Sequence, residues 1–125
     1  MNIRSVKQSV HILSCEKVFA EDLKRMDEEN EILLQTGILD TTNEHPPLRV
    51  AIVYVGKNMV TLIFEKSYKS GAEISEVYKA EGYNLRLTYE ETKNKYGNPI
   101  YNGTFVVETA KSKSEFDVMG HHCNL

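Results

Sequence analysis

Leu48-Arg49-Val50-Ala51-Ile52-Val53-Tyr54-Val55 carries the decisive pattern in this chain. It is apolar at nearly every position and rich in β-branched side chains, which suits a strand covered on both faces. Gly56-Lys57-Asn58 supplies the residues of a short hairpin turn, and Met59 to Glu65 reads as the partner strand. Upstream, Pro46-Pro47 cannot continue a helix and biases the chain toward extended structure before Leu48. The stretch Asp40 to Pro47 is therefore the one boundary, in a chain with no repeat, low-complexity tract or Gly/Ser linker.

Downstream, Ile74, Val77 and Tyr78 sit at helical spacing between Gly71 and Glu81, and Gly82 ends the pattern, so a short helix is expected there. Tyr83, Leu85, Leu87 and Tyr89 alternate with Asn84, Arg86, Thr88 and Glu90, the signature of a strand with one wet face. Lys93 to Pro99 reads as a polar loop, Thr104 to Ala110 as another strand, and Glu115 to Met119 as a last edge strand before a short tail. Upstream of the boundary, Ser14 to Gln35 reads as a helix with Ser14 as N-cap and Gly37 as its stop. Phe19, Leu23, Met26 and Leu33 form its apolar stripe.

These elements predict a single α+β domain over residues 1–125, with an N-terminal helix packed on a four- to five-stranded antiparallel sheet and a short helix inserted between strands. Residues 1–47 would be the acidic helical segment and linker, 48–120 the sheet, and 121–125 a tail. The order is similar to that of PAS-like and profilin-like folds. No motif of either family is present, and topology alone carries no function.

At 125 residues, 41% hydrophobic and 26% charged, the chain is globular in composition and sized for one core. A net charge of −3 excludes the basic balance of a general nucleic-acid binder. No apolar run approaches the roughly 20 residues that a membrane-spanning helix needs. The N-terminal residues lack a secretory pattern, and two cysteines are too few for a disulfide framework. A cytoplasmic protein with free thiols is the expectation. Asn102-Gly103-Thr104 then reads as an Asn-Gly turn and not a glycosylation site.

Nucleotide-binding signatures are missing. Gly97 and Gly103 have phosphate-loop spacing, but Thr104 stands where the lysine must be. His121-His122-Cys123, joined by His11 and Cys15, offers zinc-type ligands. Adjacent histidines in an extended tail point apart, so no metal and no cofactor is expected. Neither cysteine shows the setting of an activated thiol, and no nucleophile, base and orienting group assemble from spacing, so catalysis is not expected.

Three surfaces remain. Asp22, Asp27, Glu28, Glu29 and Glu31 crowd the N-terminal helix, either as a solvated face or as a docking surface for a basic protein partner. Indeed residues 1–47 hold five basic and nine acidic side chains, whereas residues 48–125 hold ten and nine. Phe19, Leu23, Met26, Asn30 and Leu33 also fit alternating a and d heptad positions, a self-association seam for a homodimer. Finally, Tyr83, Tyr89 and Tyr101 with Arg86 could hold a nucleotide-like anion. The leading expectation is a small non-catalytic protein-binding module, acting as adaptor, inhibitor or regulator of another protein. The alternative is a small-ligand binder, and neither membrane nor nucleic acid is expected as a partner.

Overall fold

β-Branched and aromatic residues fill much of Leu48–Val55 and recur in the other strands, from Val18 and Phe19 to Phe116 and Val118. The computed structural model describes residues 1–7, 14–39 and 47–123. In chain order the elements are β1 (Val6–Lys7), β2 (Ser14–Ala20), α1 (Leu23–Glu29), β3 (Glu31–Ile32), β4 (Leu34–Leu39), β5 (Leu48–Val55), β6 (Asn58–Ser70), β7 (Glu73–Ala80), β8 (Tyr83–Lys93), β9 (Pro99–Glu108) and β10 (Lys113–His122). Strands β2 and β4 to β10 each pair antiparallel with their neighbours, and β10 returns to β2, closing an eight-stranded barrel. The two short strands β1 and β3 form a separate ladder.

Register fixes what faces inward, because side chains alternate along each strand. Phe19 pairs with Leu34, Leu34 with Val53, and Val53 with Val60. Tyr78 pairs with Leu85, and Leu85 with Val107. Phe19, Leu34, Val53, Leu62, Leu85, Leu87, Phe105 and Val107 are buried together as the barrel core. Ile3 bridges to Val55 and packs into the same cluster with Leu33, so the N-terminal residues cover that end of the barrel.

Two inward glycines let the strands approach closely. A Cβ on Gly103 would meet the Thr88 carbonyl oxygen at 1.9 Å, and one on Gly120 would meet the Val18 carbonyl oxygen at 2.5 Å. Gly103 therefore lies inside β9 at a close contact with β8, not in the Asn-Gly turn that the dipeptide suggests.

The α+β expectation is overturned: this is a β-barrel with one short helix among the described residues. The helix expected over Ser14 to Gln35 shrinks to seven residues. Asp22 caps it by accepting from the Arg25 amide at 2.8 Å, and Asn30 ends it in the left-handed conformation. Before it, Val18-Phe19-Ala20 is apolar because both faces of β2 are covered: Phe19 faces the barrel, while Val18 and Ala20 pack outside with Met26. The expected 71–81 helix is strand β7. Ile74 and Tyr78 are four apart, an even number, so they share a strand face as readily as a helix face.

The expected C-terminal edge strand is β10, which runs on into the expected tail as far as His122 and has partners on both sides, while residues 124–125 lie outside the described residues. Nor does the stretch before Leu48 divide the chain, since β4 and β5 pair across it from Leu34–Val53 to Leu39–Leu48. Residues 40–46, like His11, lie outside the described residues. The free-thiol expectation also fails. Cys15 and Cys123 form a disulfide beside the β10–β2 seam, with Cα atoms 5.8 Å apart.

Candidate functional site

At one end of the barrel the inward side chains are apolar; at the other they turn polar. The polar end is where β2, β5, β7 and β9 begin and where β4, β8 and β10 finish. Lys17, Thr36, Arg49, Glu76, Tyr89, Tyr101 and His122 all occupy inward register positions there. An eight-stranded barrel is wide enough either to be filled by side chains or to hold one small ligand.

Glu76 is the centre of this group. It is 4% exposed, on the strand face of Ile74 and Tyr78. Its carboxylate accepts the Tyr78 hydroxyl at 2.8 Å and the Tyr89 hydroxyl at 3.0 Å. The Arg49 guanidinium stands 3.8 Å away and reaches Glu16 at 3.7 Å on its other side. Arg49 also lies over the Phe64 ring, 4.5 Å from its centroid. A buried charge is thus answered by two phenolic donors and a cation. Burial, followed by the adjacent Glu76 charge, pushes the Tyr78 and Tyr89 phenols far above their ordinary range.

Beside this network, Tyr89 and Tyr101 meet edge to face with ring centroids 5.4 Å apart. The Lys17 ammonium lies over both rings, 5.6 and 5.4 Å from their centroids. Lys17 faces inward because it stands two residues before Phe19 on β2, and the bulge between Cys15 and Lys17 turns Cys15 to the outer face. The Tyr101 hydroxyl lies 3.1 Å from His122 Nε2, and His122 Nδ1 lies 3.3 Å from the Glu16 carbonyl oxygen. That carbonyl can only accept, so the His122 ring donates to it from Nδ1, while the single Tyr101 hydroxyl proton is shared between His122 Nε2 and the Glu91 carboxylate as acceptors. Burial, followed by the Glu91 charge, raises the Tyr101 phenol above its ordinary value.

The ligand-binding set expected from sequence is split by strand parity. Tyr89 and Tyr101 come together inside the barrel. Arg86 lies on the outer face with Tyr68, Val77 and Val106 along a groove of about 470 Å³. Tyr83 pairs with Ala80 at the opposite end.

The acidic set is divided as well. Asp22 caps α1, Asp27 lies 3.3 Å from His121 Nε2, Glu31 pairs with Lys7 at 3.9 Å, and Glu28 and Glu29 are exposed. The proposed self-association seam has no continuous helix to carry it. Phe19 and Leu33 are in the barrel cluster, Met26 and Leu23 pack on Val18 and Ala20, and Asn30 is the C-cap of α1. His121 and His122 lie on opposite faces of β10, and Cys123 is in the disulfide. No group of three metal-type ligands occurs among the described residues.

Lys17, Arg49 and Glu76 escape a reading of local spacing, and His122 is picked out by it only as a metal-type ligand. The signal that could find Glu76 is parity: once 73–80 is read as a strand, its acid falls between Ile74 and Tyr78 on the buried face. Arg49 shares parity with Ala51 and Val53 in the same way. Comparison with protein-family models, with curated proteins and with solved structures finds no match to this chain. Neither the fold nor these comparisons carries a regulator or inhibitor role, and that expectation is set aside.

Proposed function

We propose that this chain is a small-ligand-binding barrel whose site is the polar inward end. The observation that carries the reading is the convergence of Lys17, Arg49, Glu76, Tyr89, Tyr101 and His122 at inward positions of a closed barrel. A barrel that needed only stability would be filled with apolar side chains there, as it is at its other end. Hydrogen-bonding groups held by strands, and stiffened by one another, offer a preorganised lining. Binding without turnover suits the set better than catalysis, because the phenols are raised away from neutrality and Glu76 is occupied by two donors.

No helix among the described residues is long and apolar enough to cross a membrane. The outward face of β8 carries Asn84, Arg86, Thr88 and Glu90, the reverse of a lipid-facing strand. The Cys15–Cys123 disulfide favours an oxidising compartment over the cytoplasm expected from free thiols.

Amide chemical shifts recorded against a collection of small amphiphilic molecules test the reading. Perturbations centred on Lys17, Tyr89, Tyr101 and His122 are expected. Perturbations confined to the outer groove of Tyr68 and Arg86, or none at all, would refute it.

A further inference from the structure

The polar end of the barrel has an uneven charge arrangement. Glu76 is matched by two phenolic donors and by Arg49, and Arg49 also serves Glu16. Lys17 differs. Its ammonium faces inward, half-buried, over the Tyr89 and Tyr101 rings, and no carboxylate lies within ion-pair distance among the described residues. Ring faces attract the cation but accept few of its three N–H donors, so the group retains hydrogen-bonding capacity directed into the barrel. Apolar side chains stand at the same end, with Ile38, Phe64 and Ile74 at inward positions of β4, β6 and β7.

Resting on the ligand-binding reading, we propose that the ligand is a monoanion with an apolar or aromatic body, such as a carboxylate or sulfonate amphiphile. Its anionic oxygens take the Lys17 N–H donors, and its body lies among the aromatic and aliphatic residues of this end. The charge balance sets the valence. Arg49 is engaged by Glu16 and Glu76, so Lys17 is left as a single ammonium without a carboxylate partner that meets one anionic group, and further negative charges on the ligand would face those carboxylates. The nucleotide-like ligand expected from the tyrosines is thereby narrowed to exclude polyphosphates. The cation that receives it is Lys17, not the outward Arg86.

A matched pair of fluorescent probes tests this: anilinonaphthalene sulfonate, a monoanion, and phenylnaphthylamine, its neutral analogue. Both are expected to bind the native protein and to displace one another, whereas ATP displaces neither. Lys17→Met is expected to weaken the sulfonate probe by about tenfold or more while leaving the neutral probe unchanged, as befits the loss of one charge-assisted contact. Lys17→Arg restores the sulfonate probe. Retained binding of the neutral probe by Lys17→Met shows that the barrel still folds.

Equal sulfonate affinity in native protein and Lys17→Met overturns the monoanion assignment and leaves the ligand-binding reading standing. Displacement by ATP as strong as by the sulfonate, or loss of both probes together in Lys17→Met, also counts against the assignment. If neither probe binds the native protein and the collection of amphiphiles perturbs no inward residue, both readings fall.

Discussion

Replacing both Cys15 and Cys123 by serine should weaken the barrel where it is least secured. The β10–β2 seam runs only from Met119–Ala20 to His122–Lys17, the shortest pairing among the barrel strands. Opening it would turn a closed barrel into a sheet with two edges. The disulfide lies just beyond this seam and joins residues 108 apart in sequence. For a loop of that length, restriction of the unfolded chain corresponds to roughly 4.8 kcal/mol in the chain-entropy treatment, within a usual cost of about 2–5 kcal/mol for removing a native bridge.

Serine is chosen because Gln35 Nε2 donates to Cys15 Sγ at 3.0 Å, and a serine oxygen can accept the same bond. With a urea slope of about 1.5 kcal/mol per molar, a loss of about 2–5 kcal/mol should lower the midpoint by about 1.3–3.3 M. Hydrogen exchange should also quicken at the Cys123 amide, which bonds the Glu16 carbonyl at 3.2 Å across the seam. A midpoint change below about 0.5 M, with that amide still protected, would show that strand pairing and α1 hold the seam unaided.

Other substitutions probe the interior. Tyr78→Phe removes a 2.8 Å bond to the buried Glu76 and should cost about 1.5–3 kcal/mol in chemical denaturation. Glu76→Gln should lose a similar amount, since its amide NH2 cannot accept and leaves one buried phenol proton without its acceptor; a neutral result would mean that the network is wet. Raising the pH should unfold the protein from about pH 10 upward. Tyr78 and Tyr89 resist ionisation when folded, whereas unfolded phenols ionise near pH 10, so their stabilisation is complete below that value and declines above it by up to about 1.4 kcal/mol per pH unit each. Phenolate absorbance and circular dichroism should change together for those two residues, and ionisation well before unfolding would contradict their burial. Gly103→Ala should cost about 1–3 kcal/mol or more, because the new Cβ meets backbone at Thr88, which cannot swing aside; thermal unfolding reads it directly.

How much was legible follows from which forces are local. The run Leu48 to Val55, the turn at Gly56 and Lys57, and the alternation from Tyr83 to Glu90 are each carried by neighbours in sequence, and each strand is where its pattern puts it. Segments whose apolar residues are spaced by four, such as Ile74 and Tyr78, satisfy helix and strand equally, and only pairing partners decide between them. Tyr89 and Tyr101 were recognisable as a potential pair, but the cations beside them arrive from β2 and β5, far away along the chain.

Composition and local patterning by themselves determined several of the strands and turns, and that no apolar run is long enough for a membrane-spanning helix. Tertiary structure alone decided that the strands close into a barrel, that Cys15 meets Cys123, and that Lys17, Arg49 and Glu76 share its polar end. The physical reason is that closure depends on register between remote strands. A shift of one residue in that register moves every side chain to the opposite face, and no local window of sequence contains both partners.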